Sequence, residues 1–454
     1  MPEKQPEVSV PDAVRVRPGG LLVPMTDSTG PADFIDFIDA SPSSYHAAAE
    51  VASRLDAAGF ARQDEKAPWD ASPGGHYIVR GGAVLAWRIP EPAGERERPQ
   101  GFRIVGSHTD SPGLKLKPVG DITGPGGWRQ AAVEVYGGAI LPAWLDRELR
   151  LAGRVVLADG TEHLVCTGPV LRVPHLAIHL DRAVNNGLTL DRQQHMQPVF
   201  AVGEGAPTIG EVIADALSVE GVTPGDILAH DLITVDAQRG EVFGAQDDFI
   251  AAGRMDNLSS VFTSLQAFLA AGTDDATGGI IPVLAAFDHE EVGSATTSGA
   301  AGPVLEDVLT RTAAALGAGA EETRAMFARS SCVSADAAHS IHPNYAGKHD
   351  PVHRPVINGG PVLKVNANQR YASDATTSAA WRAACRSVGA PDQVFAGNND
   401  VPCGSTIGPI TATRLGIPTV DVGIPLLSMH SAREMAGVHD LAWFTDTLRA
   451  WWEQ

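Results

Sequence analysis

The feature that most constrains this chain is a change of texture through its middle. On either side of that middle, candidate strands and helices alternate. From about 119 to 247, short Val/Ile/Leu runs alternate instead with Gly, Pro and Asp, as in AAVEVYGG, RVVLAD, HLVCTG and DLITVD. That is the pattern of a compact β-rich unit with one or two helices. The simplest architecture for such a chain is an α/β domain interrupted by an inserted one. The length of 454 residues also exceeds one ordinary domain. The expected division is 1–118 and 248–454 for the two parts of the outer domain and 119–247 for the insertion.

Within the outer parts, the Pro- and Gly-rich residues 1–30 read as an arm or irregular cap. FIDFI (34–38) predicts a short helix broken at Ser41-Pro42, and SYHAAAEVASRLDAAG a second helix stopped at Gly59. HYIVRGGAVLAWRI predicts a hairpin turning at Gly81-Gly82, and FRIVG (102–106) a buried strand that ends at His108. LSSVFTSLQAFLAAG (258–272) has apolar residues at helical spacing. GIIPVLAAF (279–287) is an apolar strand, but Pro282 argues against a central place there unless it sits at the strand start or a bulge. VLEDVLTRTAAALGA is a further helix, and TRLGIPTVDVGIPLL reads as a helix end feeding a buried strand.

Composition narrows the function. Apolar residues at 44% allow a core, and a formal charge of -20 opposes binding to nucleic acid backbones and anionic membranes. No run of 18 apolar residues is present to span a bilayer. MPEKQPEVSVPDAV lacks a basic region followed by an apolar run, so no secretory signal is expected. Cys166, Cys332, Cys385 and Cys403 form no C-x-x-C pair. They read as reduced thiols, and the expected compartment is the cytoplasm.

Chemistry concentrates in GSHTDSPG (106–113), GRMDNL (253–258), FDHEEVGS (287–294) and LLSMHS (426–431), most of which sit at predicted strand ends. Ligand sites of open α/β sheets lie beyond the carboxyl ends of strands. SADAAHSIHPNY (334–345), crowded with Asp, His and Asn, reads as a functional loop. Residues two apart in an extended stretch point the same way, so Asp110 can accept a hydrogen bond from His108 and leave its other nitrogen for a metal. Glu290 and Glu291 are adjacent and point apart, which permits one to grip a metal while the other faces a substrate water. The bland alternatives are a surface histidine, a solvated acidic turn and, for Asp256, a helix cap. His430 ends another predicted strand, and Asp336 and His339 lie in the polar loop. Taken together, the histidines and carboxylates suit hard or borderline divalent ions such as Zn²⁺, Mn²⁺ or Co²⁺. FDHEEVGS is not an H-E-x-x-H motif, because no second histidine follows at the required spacing.

With these stretches in view, the chain resembles the aspartyl aminopeptidases, the M18 family of metallopeptidases. The resemblance also rests on VEVYGG, LAGRV, RVPHLAIHLDR, DLITVDAQ, GPVLKVNANQRYASD, GNNDVPCGSTIGPI and VDVGIPLLSMHSAREM, and runs from about residue 20 to the C-terminus. It implies an α/β, mixed-sheet zinc-peptidase catalytic domain interrupted by a β-rich dimerisation domain. It further implies two divalent ions, Zn²⁺ by default with Mn²⁺ or Co²⁺ at one site. His108, a bridging Asp256 and Asp336 would hold one ion, and Asp256, Glu291 and His430 the other. Glu290 would be the general base and Asp110 the partner of His108. His179 would reach the active site of a neighbouring subunit in a tetrahedral dodecamer built from dimers.

The implied substrates are short peptides with a free acidic N-terminus, Asp or Glu, with Lys364 as the cation for the acidic side chain and His339 beside it. An acidic side chain needs such a cation to replace its hydration. The rivals are a two-metal aminopeptidase of broad specificity, an amide deacylase, and a shell or scaffold without activity. A scaffold would have lost Glu290 or a ligand, and both are present.

Overall fold

The computed structural model of the chain describes residues 30–91, 100–271 and 279–454, so the arm expected at 1–30 lies almost wholly outside the described residues. Among the described residues, nine strands form a mixed sheet. In spatial order they are Ala61–Arg62, Gly74–Arg80, Ala83–Ile89, Ile280–Phe287, Gly101–His108, Ser331–Ala335, Thr419–Gly423, Val362–Val365 and Gln393–Ala396. The four strands from Ile280–Phe287 to Thr419–Gly423 run parallel, so their carboxyl ends share one edge. Pairing is antiparallel next to them, with Ala83–Ile89 on one side and Val362–Val365 on the other.

Both faces of this sheet are covered. Along Ile280–Phe287, Leu284 and Ala286 join one core while Ile281, Val283, Ala285 and Phe287 join the opposite one. Alternation of side chains across a strand makes this possible, and it explains the near-continuous apolar run in the sequence. The helices Pro31–Ala40, Ser44–Ala57, Met255–Ala270 and Val438–Glu453 fill the first face. Val304–Ala315, Ala320–Ala328 and Ile407–Leu415 fill the second. The Met255–Ala270 helix is buried almost all round, and its buried Ser259 and Thr263 hydroxyls donate back to the helix carbonyls of Met255 and Ser259.

The Ile280–Phe287 strand is central, against the expectation raised by Pro282. The reason is register. Pro282 opposes Arg103 in the parallel ladder, and the antiparallel ladder to Ala83–Ile89 begins one residue later, at Val283. The missing N–H therefore falls at the strand's entry, where the sheet makes no demand on it.

Six antiparallel strands between Gly113 and Asp236 form a separate sheet, in the order Glu162–Cys166, Leu149–Leu157, Ile227–Asp236, Gly113–Thr123, Trp128–Tyr136 and Val199–Val202. It packs its own core around Leu114, Trp144, Leu151 and Leu232, with the helix Ile209–Ala216 against it. This is the inserted β-rich domain. A third, three-stranded sheet joins Glu241–Phe243, Phe249–Ala252 and Glu434–Gly437. Its register sets Glu434 opposite Ala252, four residues before Asp256.

Candidate metal centre

The shared edge of the four parallel strands carries the chemistry. His108 closes its strand directly opposite Phe287, and Asp288 to Glu291 turn away just beyond. Asp336 follows the strand Ser331–Ala335, and His430 lies seven residues past Gly423. Asp256 enters from the start of the helix Met255–Ala270 in a non-helical conformation, with φ -84 and ψ 102. It is not a helix cap.

The side chains converge. His108 Nε2 lies 3.5 Å from Asp256 Oδ1 and 3.5 Å from Asp336 Oδ1. His430 Nε2 lies 3.2 Å from Asp256 Oδ2 and 3.4 Å from Glu291 Oε1. Asp256, only 4% exposed, thus turns one oxygen to each imidazole. Three sets of ligand atoms fall within 4.8 Å of one another: His108, Asp256 and Asp336; Asp256, Glu291 and His430; and His108, Glu290 and Glu291.

A pair of divalent cations fits this cage. Asp256 Oδ1 and Glu291 Oε1 are buried without any hydrogen-bond partner, an arrangement that is costly unless positive charge meets them. The carboxylates also draw positive charge by proton uptake. Burial alone would lower His430, but Asp256 and Glu291 push it up to about 10. Burial likewise opposes a charged His108, yet Asp110, Asp256 and Asp336 hold it well above the ordinary imidazole range. The residues present form a dinuclear metal-binding site of mixed N and O donors.

The sequence-predicted partner Asp110 has more to do than expected. His108 Nδ1 donates to the Asp110 backbone carbonyl at 3.1 Å, with the carboxylate oxygen Oδ1 at 3.4 Å. The carboxylate is turned toward the next strand end, where Oδ1 accepts from the Glu290 amide at 3.0 Å and Oδ2 from the Glu291 amide at 3.1 Å. Glu290 itself is pushed up to about 7 by burial, which His108 opposes and Asp336 and Asp256 reinforce.

Lys364 is no strand-edge surface charge. It is 2% exposed, and its ammonium donates to Asp336 O at 2.8 Å, Asp336 Oδ2 at 3.1 Å and Ala337 O at 3.2 Å. It also sits 5.2 Å from the centre of the Tyr371 ring. His339 lies on the short strand Ala338–His339, edge-on to Phe395 at 5.9 Å. His179 belongs to an exposed stretch with Leu176, Ile178 and Leu180 and joins none of the described clusters.

Two residues at the site escaped the sequence reading. Glu434 is 2% exposed and accepts from the His430 amide at 2.8 Å and the Asp256 amide at 3.0 Å, tying the two segments together. Its only signal was a carboxylate four residues past His430. Tyr136 of the inserted domain donates to Asp110 Oδ2 at 2.7 Å. Its segment, VEVYGG, stood out as a motif, but nothing local marked the tyrosine.

The comparisons with known proteins agree with this cage. Residues 37–452 match the family described as aminopeptidase I zinc metalloprotease, M18. The chain belongs to the M18 family. A probable M18 family aminopeptidase 2 of Streptomyces coelicolor is 49% identical over 410 residues, covering 90% of this chain and 94% of that protein. Among solved structures, a chain of the Ape4 and Nbr1 complex superposes with a TM-score of 0.88 at 34% identity, over 93% of this chain and 85% of that one. The S. cerevesiae mApe1 dodecamer matches at 0.80 and 28% identity, over 94% and 97%. The M18 chain is therefore a metal-dependent aminopeptidase with an inserted β-rich domain in its catalytic α/β fold. No helix among the described residues is long and apolar enough to cross a membrane.

Proposed function

We propose that this M18 chain removes N-terminal residues of broad identity from short peptides. His108, Asp256 and Asp336 hold one divalent ion, Asp256, Glu291 and His430 the other, and Glu290 is the general base. The observation that carries the reading is Asp256 presenting one oxygen to each half of the cage, with Glu290 beside His108 and Glu291 at its edge. When bound, the ion pair supplies Lewis-acid polarisation of the scissile carbonyl and an acidified water. Zinc is the proposed ion, with Mn²⁺ or Co²⁺ able to serve at one site, because mixed imidazole and carboxylate donors suit all three.

The chain's own residues do the rest. Glu290 takes the proton of the attacking water and passes a proton to the leaving amine, a role favoured when the carboxyl titrates near the working pH. Asp110 holds the amides of Glu290 and Glu291 and so fixes the direction in which each side chain leaves the backbone. The cage's remaining carboxylate surface is the place for a free α-ammonium, which makes the reaction exopeptidic.

Broad preference follows from Lys364. Its three donors already meet three acceptors, two of them backbone carbonyls, so an acidic substrate side chain would have to displace one. The reading of acidic specificity rests on the same lysine as the buried cation nearest the cage. Peptides beginning with Asp, Glu, Leu, Ala and Asn, each free and acetylated, separate the two in a kcat/KM assay of metal-loaded protein. Comparable cleavage of free Leu and Asp peptides is expected. A preference for Asp or Glu of about tenfold or more, near 1.4 kcal/mol, would overturn the broad reading and restore the acidic one. Cleavage of acetylated substrates alone would make the protein a deacylase.

The related mApe1 is a dodecamer. We extend a tetrahedral dodecamer built from dimers to this chain, with His179 reaching a neighbouring copy's cage. The exposed apolar Leu176, Ile178 and Leu180 around His179 support a surface made to be covered. The four cysteines, all free, support a reducing cytoplasm.

A further inference from the structure

The strand Trp128–Tyr136 of the inserted domain ends against the metal cage: Tyr136 reaches the His108 side through Asp110, and the two glycines after it lie against Glu291 and His430 on the other side. The Tyr136 hydroxyl donates to Asp110 Oδ2 at 2.7 Å. Asp110 is the carboxylate that also receives the Glu290 and Glu291 amides and lies beside the His108 ring. At Gly137, a Cβ would fall 3.1 Å from Glu291 Cβ, and at Gly138, 3.1 Å from His430 Nδ1. His430 Nδ1 donates to the Gly138 carbonyl at 3.2 Å, which leaves Nε2 for the cage, and the Ile140 amide donates to the His430 carbonyl at 3.0 Å.

We propose that Tyr136 is a positioning residue of the metal centre, through which the inserted domain sets how tightly the catalytic domain holds its cations. This rests on the reading of the cage as a dinuclear metal site. A carboxylate with several donors can pivot when one is lost. At Asp110 a pivot disturbs the His108 ring and the two glutamate amides together. Groups that hydrogen-bond a ligand's partner restrict the ligand's orientation, and their loss is felt in metal affinity. The phenol is suited to the task. Burial and the neighbouring Asp110 charge hold it well above the ordinary tyrosine range, so it stays a donor at any working pH.

A second tyrosine of the domain junction supplies the control. The Tyr45 hydroxyl donates to Asp231 Oδ2 at 3.1 Å and contacts neither Asp110 nor a cage residue through it. Zn²⁺ dissociation constants of full-length wild type, Tyr136→Phe and Tyr45→Phe are measured by competition with a chromophoric chelator. Thermal midpoints of the stripped proteins, and kcat and KM at saturating Zn²⁺, complete the set. Tyr136→Phe keeps the ring and its packing. It is expected to bind Zn²⁺ about tenfold more weakly and to lose kcat with KM little changed, while Tyr45→Phe binds as wild type does. Gly138→Ala, which crowds His430 from the same turn, is expected to weaken binding as well. Binding by Tyr136→Phe within about twofold of wild type, or an equal loss in Tyr45→Phe, overturns the proposal. Failure of the underlying reading looks different: the wild type would bind no divalent ion, or would bind it tightly and cleave no peptide.

Discussion

Glu290 and Glu291 are neighbours in sequence, and the opposite tasks proposed for them come from what each side chain faces. Glu291 Oε1 points at His430 Nε2, whereas Glu290 takes no part in the set formed by Asp256, Glu291 and His430. Glu290→Gln keeps the shape but cannot take a proton. Its kcat is expected to fall by about 10²–10⁴-fold while two metal equivalents per chain remain by elemental analysis. Loss of a metal equivalent would instead make Glu290 a ligand, the role open to it in the set with His108 and Glu291. At this scale His108, Glu290, Glu291 and His430 were legible because each ends or follows a strand whose apolar run is itself legible, whereas Asp256 stood out only as a carboxylate before an apolar helix and Asp336 only within a polar loop. Tyr136 and Glu434 were not. Tyr136 lies 26 residues from Asp110 and Glu434 lies 178 from Asp256, and such contacts are made by the packing of sheets rather than by any local pattern. Lys364 was legible as a candidate, but its three acceptors arise only when the strand Val362–Val365 lies against Thr419–Gly423 beside the Asp336 loop.

Among the elements, the hairpin at Gly81-Gly82, the two helices before it and the strand ending at His108 stand where the sequence places them, because period and turn chemistry are local. The order of strands is not local, and Pro282 shows the consequence: its tolerance depends on where the neighbouring ladder begins. The helix Val438–Glu453 offers a test of a buried acid at this scale. Asp440, in its first turn, accepts from the amides of Asn358 and Gly360 and so ties that loop to the helix start. Burial pushes its carboxyl up to about 7, although both amides pull it down. The folded chain therefore holds this proton more tightly than the unfolded chain. The stability it contributes is full below about pH 4 and is lost as the pH rises toward 7. Asp440→Asn cannot titrate. The thermal midpoint of the variant relative to wild type is expected to climb from pH 5 to pH 8, by on the order of 1 kcal/mol of relative stability. A constant difference across that range would mean that Asp440 is ionised in the fold throughout.

At the scale of the whole molecule, the insertion was legible as a change of texture, and its part in the catalytic cage was not. The charge of -20 does not by itself steer acidic peptides to the cage, so capture depends on local contacts. Assembly is the remaining determinant, and it can be tested without a structure of the oligomer. His179→Phe, if His179 serves a neighbour's cage, is expected to lose kcat while keeping its metals. Glu290→Gln fails in its own cage but still offers an intact His179 to its neighbour. Coexpressed in equal amounts, the two inactive chains restore a complete site wherever a His179→Phe chain lies beside a Glu290→Gln chain. With random assembly that is about a quarter of the sites. Activity recovered near that level, in oligomers shown to contain both chains, requires a site shared between copies. Mixed oligomers as inactive as either parent would confine His179 to its own subunit or to no catalytic role, and the exposed apolar stretch around it would then be a contact surface alone.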